Sequence, residues 1–418
     1  MKKHVRKLVA MLLTAVLIAS TLPTAFAADS GTVSRSILLQ MLYNHAGRPA
    51  IEAGTASPFP DTAADKWHFN AACWGAAQGI VSGYGDGRLG YADPVTIQQM
   101  AMMLYKYSGS PAAQADLTGV GTYDDWAADA LRWAVATDLF KNITFTDATE
   151  VATIAQTTRV LSDLLNEPST QTESIVLDDT NSVLVRVGTY NIGAGAGDAT
   201  AKNMELIAQD ILSKDLDIVG LQEVDRNCSR TKYADMAALL SQHTGYNYYY
   251  VKCLDLWGKT AKDGQYGDCI LSKYPLKVAE TTMLEHGTRE PRSLAHIVVD
   301  VDGTDVHFYN THLESGKKDS NLNLRLTQLG QIAQVLQRGP EQYILVGDFN
   351  ATPEYQYYML PFLNGVCKEK GDPVTFPSSG NTIDNILVSD GVQIVSSGVL
   401  ESGNSDHYMV FAEVRIQK

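Results

Sequence analysis

From residue 183 onward, short apolar runs alternate with stretches whose apolar residues recur every three or four positions. The first pattern is that of buried strands, the second of amphipathic helices. Strands are predicted over 183–190, 217–221, 268–272, 306–310, 343–346, 382–388 and 408–416, and helices over 203–212 and 321–337. Nearly every strand delivers polar residues at an end: Asn191, then Gln222 and Glu223, Thr311 and His312, Asp348 and Asn350, Asp384, and Asp406 with His407. Asp348 and Asn350, two apart, share a side as long as the backbone stays extended. A single Gly-Asp-x-Asn is an ordinary turn signal. Its repetition in kind at so many strand ends predicts one shared sheet edge.

The N-terminal half follows another rhythm. Trp67–Ala77 recurs as Trp126–Ala136, each with Trp seven residues from Trp and small residues on the same helical face. A second helical stretch occurs three times, from Val33, Val95 and Ala152, each ending in proline. The tryptophans read as core residues. Glu167–Ser182, rich in Ser, Thr and acids, reads as a linker between 28–166 and 183–418.

Composition narrows the setting. Lys2, Lys3, Arg6 and Lys7, an apolar 8–19 and Ala25-Phe26-Ala27 form a secretory signal pattern over 1–27. The apolar run is shorter than the roughly 20 residues a membrane span needs, so no transmembrane anchor is expected after signal removal. Residues 28–182 hold 8 basic and 18 acidic residues, and 183–418 hold 21 and 29, leaving −10 and −8. Tight non-specific nucleic-acid binding is not expected of either half. A phosphate substrate stays open, because a divalent cation inverts the local field. The five cysteines are scattered; a Cys228–Cys253 disulfide is conceivable after export, and small buried thiols are the other account.

The strand-end set suits phosphoryl chemistry. Glu223 and Asp406 are hard-cation ligands. His312 and His407 can donate to a phosphoryl oxygen or move a proton, with Asp384 fixing the tautomer of one. Asp348 can align or deprotonate water, while Asn191 and Asn350 donate to an in-line transition state. No nucleophilic Ser or Cys motif and no P-loop accompanies them, so water is the expected nucleophile. Arg226, Arg230 and Lys232 read as a solvated loop.

These residues, in TYNIGAG, LQEVD, NTHLE, GDFN, TIDNILVS and SDHY, resemble the ordered motifs of the endonuclease/exonuclease/phosphatase (DNase I-like) superfamily over about 183–418. The resemblance implies a four-layer α/β sandwich, two central β-sheets flanked by helices, with the site at one end. It implies an essential Mg²⁺, with Mn²⁺ as a substitute, held by Glu223 with Asn191 and Asp406 close by. It implies catalytic roles for His312, Asp348, Asn350, Asp384 and His407, and substrate contacts for Tyr266 and Arg292. The N-terminal repeats resemble S-layer homology repeats, with Phe59-Pro60-Asp61 and Gly79–Gly83 in the middle copy. Those repeats imply a mainly α-helical domain that holds an exported bacterial protein to secondary cell-wall polysaccharide. Of the family's Thr-Arg-Ala-Glu element, only Ser34-Arg35 keeps the arginine. The expectation is a secreted, wall-associated, Mg²⁺-dependent phosphoesterase of open substrate. The alternative is a wall-binding protein whose C-terminal half is an inactive interaction scaffold.

Overall fold

The computed structural model describes residues 32–165, 177–194, 201–256, 264–316, 318–360, 363–368, 371 and 373–418. The expected signal segment and residues 167–176 of the expected linker lie outside them.

The N-terminal region is helical: α1 (Arg35–His45), α2 (Phe69–Ala77), α3 (Ile97–Tyr107), α4 (Ala128–Ala136) and α5 (Ile154–Leu165). The thrice-repeated stretch supplies α1, α3 and α5. Each is entered through a hydroxyl: Ser34 accepts from Ile37 N, Thr96 forms a capping box with Gln99, and Thr153 exchanges bonds with Gln156. Such caps satisfy N–H groups that a helix leaves orphaned in its first turn. The residues just ahead of the three helices close a ring, in which Val33 N donates to Ala152 O, Ala152 N to Val95 O and Val95 N to Val33 O. The repeats are therefore joined in a cyclic array of three.

Trp74 and Trp133 are buried as core residues, but Trp126 is 50% exposed and its indole N–H bonds Asp124. The expectation of core tryptophans fails there, because a polar partner beside the helix start holds the ring at the surface.

The remaining elements are β1 (Ser182–Asn191), α6 (Ala201–Ser213), β2 (Ile218–Arg226), α7 (Met236–Thr244), β3 (Asn247–Leu256), β4 (Gly264–Ser272), β5 (Leu276–Met283), β6 (Ser293–Val301), β7 (Thr304–His312), α8 (Asp319–Arg338), β8 (Ile344–Asp348), α9 (Pro353–Met359), β9 (Asn364–Gly365), β10 (Asp384–Val388), β11 (Val392–Leu400) and β12 (Met409–Gln417). They form two six-stranded mixed sheets, ordered β11-β12-β1-β2-β4-β3 and β5-β6-β7-β8-β10-β9. Between the sheets lie Val185, Val187, Ile218 and Ile270 from the first and Ile297, Phe308, Ile344, Val346 and Ile386 from the second. Helices α6 and α7 cover the outer face of the first sheet, burying Met204, Ile207, Ile211 and Leu240. Helices α8 and α9 cover the second. This is the α/β sandwich of two sheets flanked by helices, preceded by a helical region.

Two local differences from the sequence reading bear on function. The strand predicted over 217–221 continues to Arg226 through a bulge between Leu221 and Val224, with Glu223 at φ 59°. A bulge re-aims one side chain without ending the strand, so Glu223 is delivered from within β2. All five cysteines are free thiols, including Cys228 and Cys253.

The helical region and the sandwich share one apolar core. Asn44 Nδ2 donates to Met359 O at 2.7 Å, and Tyr358 OH to Thr158 O at 2.7 Å. Trp67 lies on Gly330 of α8, where an added Cβ would come within 2.5 Å of the indole. Only glycine admits the ring there.

Candidate active site

Along each central strand the inward-facing positions turn from apolar to polar toward one end of the sandwich. In β1 the series is Val185, Val187, Thr189, Asn191; in β7 it is Val306, Phe308, Asn310, His312; in β8 it is Ile344, Val346, Asp348. Alternate residues of a strand share a face, so these series stack as layers. The first polar layer is a cross-sheet clasp: Gln222 Nε2 donates to Thr189 Oγ1 (3.0 Å) and Asn310 Oδ1 (2.6 Å), while Asn310 Nδ2 donates to Leu221 O and Cys269 O. A buried polar network fixes the separation of the sheets more specifically than apolar packing does.

The next layer holds the candidate chemistry. Register places His312 beside Asp348 across β7 and β8, and Asp384 beside Asp348 across β10. Gly347 makes that approach possible, since a Cβ there would run into the Thr311 carbonyl. His407 Nδ1 donates to Asp384 Oδ2 at 2.9 Å. Its Nε2 lies 3.8 Å from Asp348 Oδ2, and His312 Nε2 lies 3.6 Å from the same oxygen. From the other sheet, Asn191 Nδ2 donates to Asp348 Oδ2 (3.0 Å) and Glu223 Oε1 (3.3 Å). Ser405 Oγ donates to Asn191 O at 2.7 Å and so pins the loop that carries Asp406 and His407.

Asn350 reaches the site differently from the extended geometry expected of it. Its backbone turns at φ 48°, its N–H donates to Asp348 Oδ1 at 2.8 Å, and its Nδ2 donates to Leu313 O at 3.1 Å. The turn reading and the site reading of Gly-Asp-x-Asn are thus the same object. Asn350 holds Asp348 in place from the backbone.

Tyr266 and Arg292 are also buried at this end. Arg292 Nη1 donates to His312 Nδ1 at 3.0 Å and pairs with Glu290 at 2.9 Å. It is no surface group. Arg230 is likewise more than loop decoration, because Nε and Nη2 grip the buried Asp225 at 2.7 and 2.6 Å. Asp406 is exposed, yet near enough to raise the pKa values of both Glu223 and His407.

Burial sets the electrostatics. It raises the Asp348 carboxyl well above the usual range, with Asp384 adding to the rise. It opposes charge on His407 as well, yet Asp384 and then Asp348 push that imidazole up to about 10. His312 goes the other way: burial, the Arg292 charge and His407 all hold it well below its ordinary value. Glu223 is raised by burial, partly offset by its bond from Asn191. Pairs of titratable groups driven apart in this way mark sites of proton chemistry.

Some contributors escaped the sequence reading. Thr375 Oγ1 accepts from Ile383 N (3.0 Å) and Asp384 N (3.1 Å), and Thr375 O accepts from Tyr408 N (2.7 Å). Phe376 stacks on His407 with centroids 4.5 Å apart. The Thr-Phe-Pro just ahead of TID was the available signal. Asp268 is fully buried on β4 and pushed up to about 7 by burial, and the sequence marks it by nothing beyond its strand.

Among the described residues, two groupings could hold a cation. Asp348, Asp384 and His407 offer ligand atoms within 4.8 Å of one another. Here His407 Nδ1 is bonded to Asp384 Oδ2, and both Asp348 oxygens accept hydrogen bonds, from Asn350 N and Asn191 Nδ2. Glu223 fits better: among the described residues its desolvated carboxylate accepts a side-chain hydrogen bond from the Asn191 amide, with the Asp406 charge nearby. Carboxylate and carboxamide oxygens are what Mg²⁺ takes.

Two sheets bring buried carboxylates and histidines together at one shared end, and the family match that follows points to a phosphoester-hydrolysing enzyme. Residues 188–407 match the Endonuclease/Exonuclease/phosphatase family, and the chain belongs to it. No curated protein matches the chain. Among solved structures it is similar to an endonuclease/exonuclease/phosphatase from Beutenbergia cavernae, with 21% identity, 56% of this chain and 72% of that chain covered, and a TM-score of 0.48. A family member from Bacteroides thetaiotaomicron gives 18%, 57%, 99% and 0.45 in the same order. The human Nocturnin catalytic domain with bound sulfate gives 20%, 56%, 97% and 0.44.

Proposed function

We propose that the chain is an exported, Mg²⁺-dependent phosphoesterase that cleaves phosphodiesters or phosphomonoesters by in-line attack of water. The observation that carries this reading is Asp348. It is 1% exposed, has a raised pKa, and is approached by Asn191 Nδ2, His312 Nε2 and His407 Nε2. A carboxylate so desolvated takes a proton readily, and so can orient a water and accept its proton. The two Nε2 atoms flank the space where a phosphoryl group would sit and can donate to its oxygens as charge develops. His407, braced by Asp384, also serves as the proton source for the leaving oxygen. Glu223, with Asn191 and Asp406, would hold Mg²⁺, which supplies charge neutralisation for the phosphate.

Export rests on the signal pattern of residues 1–27. Attachment to wall polysaccharide rests on the threefold repeats and on their resemblance to wall-binding repeats, in which Arg35 keeps the arginine position.

The test is hydrolysis by the mature chain, 28–418, of bis(p-nitrophenyl) phosphate, DNA, RNA, sphingomyelin and inositol phosphates, with Asp348→Ala as blank. Turnover that EDTA abolishes and Mg²⁺ restores supports the reading; chelator-resistant turnover refutes the metal role. Co-sedimentation with purified bacterial walls, reduced by Arg35→Ala, supports tethering, and failure to sediment removes it.

A further inference from the structure

We infer that Arg292 is a positioning residue rather than a substrate contact: it fixes the proton of His312 on Nε2. The catalytic part of this inference rests on the phosphoesterase reading; the protonation part does not.

Arg292 is 3% exposed, which leaves its guanidinium little surface to offer a phosphate. Nη1 lies 3.0 Å from His312 Nδ1. A guanidinium has five N–H donors and no acceptor, so Nδ1 must present its lone pair. In a neutral imidazole the proton then sits on Nε2. The other tautomer would set N–H against N–H at hydrogen-bond distance, and a doubly protonated ring would press two buried cations together. His312 therefore turns Nε2–H toward Asp348, 3.6 Å away.

The second histidine is held in the complementary way. His407 Nδ1 faces an acceptor, Asp384 Oδ2, at 2.9 Å. One ring is backed by a donor and the other by a carboxylate, and both turn Nε2 to the same aspartate.

A buried arginine needs compensation. Glu290 provides some at 2.9 Å from the half-exposed side.

The test uses the mature chain labelled with ¹⁵N-histidine, with His312 signals identified by their loss in His312→Gln. At pH 7 long-range ¹H–¹⁵N spectra are expected to show Nε2 protonated and Nδ1 bare. Arg292→Met should give mixed tautomers, and Arg292→Lys should keep Nε2–H. A wild-type His312 with Nδ1–H, or with both nitrogens protonated, overturns the inference. So does an unchanged tautomer in Arg292→Met. With bis(p-nitrophenyl) phosphate, Arg292→Met should lower kcat about 10²-fold at nearly constant KM, with partial rescue by lysine. A raised KM at unchanged kcat makes Arg292 a substrate contact and overturns the inference. If the wild type turns over no substrate, the phosphoesterase reading fails and the spectra still decide the tautomer. Should Arg292→Met fail to fold, the wild-type spectrum decides: Nε2–H with a bare Nδ1 on His312 supports the inference, and Nδ1–H overturns it.

Discussion

Asn191 Nδ2 donates to Asp348 Oδ2 at 3.0 Å across the seam between the two sheets. The same amide reaches Glu223 Oε1 at 3.3 Å. One carboxamide thus joins a candidate metal ligand to the candidate proton acceptor and sets their spacing. Asn191→Ala should reduce kcat by about 10²-fold or more and raise the Mg²⁺ concentration needed for half-maximal rate. Stability should fall by only about 1–2 kcal/mol. Steady-state kinetics against Mg²⁺ and urea unfolding measure both, and wild-type behaviour in the metal titration would separate Asn191 from the cation.

Gly347 is the backbone counterpart of that spacing. A methyl group there meets the Thr311 carbonyl, so Gly347→Ala must pry β7 from β8 between His312 and Asp348. The expected result is a stability loss of roughly 2–4 kcal/mol and near-complete loss of turnover. Calorimetry and the phosphodiester assay read the two effects.

His68 gives the helical region a pH dependence. It is 2% exposed, neither ring nitrogen has a hydrogen-bond partner among the described residues, and burial pushes it down to about 4. Between that value and the ordinary 6.5 the unfolded chain binds the extra proton, so stability rises with pH across this window and is lost as pH falls through it. The loss from pH 7 to pH 5 through this one group should be about 2 kcal/mol. Urea titrations at the two pH values, with His68→Phe as comparison, test this: the variant should lose less on acidification, and equal losses would remove His68 as the cause.

The shared core makes the helical region part of the enzyme's structure. Removing residues 28–179 would uncover the outer faces of α8 and α9 where Trp67, Asn44 and Thr158 now pack. A 180–418 fragment should melt well below the mature chain and self-associate. Light scattering and thermal unfolding check this; a monomeric fragment with an unchanged Tm would show that the contacts contribute nothing.

Much was legible in the sequence because strands advertise themselves twice, by apolar alternation and by the polar residue on which the inward face ends. Phe308-Tyr309-Asn310-Thr311-His312 and Ile344–Asp348 carry both signals, so the sandwich, its working end and the principal site residues could be read in order. The repeats were visible for a similar reason, since recurrence at fixed spacing needs no contact information. What the linear pattern lacks is the identity of neighbours across strands and between layers. Glu223 sits in a bulge that only pairing with β4 reveals, and Asn350 in a turn closed by Asp348. The sequence offers Arg292 only as a substrate contact by resemblance, and burial against His312 is what the fold adds. The joining of the helical region to α8 and α9 also appears only in three dimensions, because apolar residues record that a surface is covered and not by what. Local chemistry is written in the chain, whereas partnership, and with it protonation, belongs to the fold.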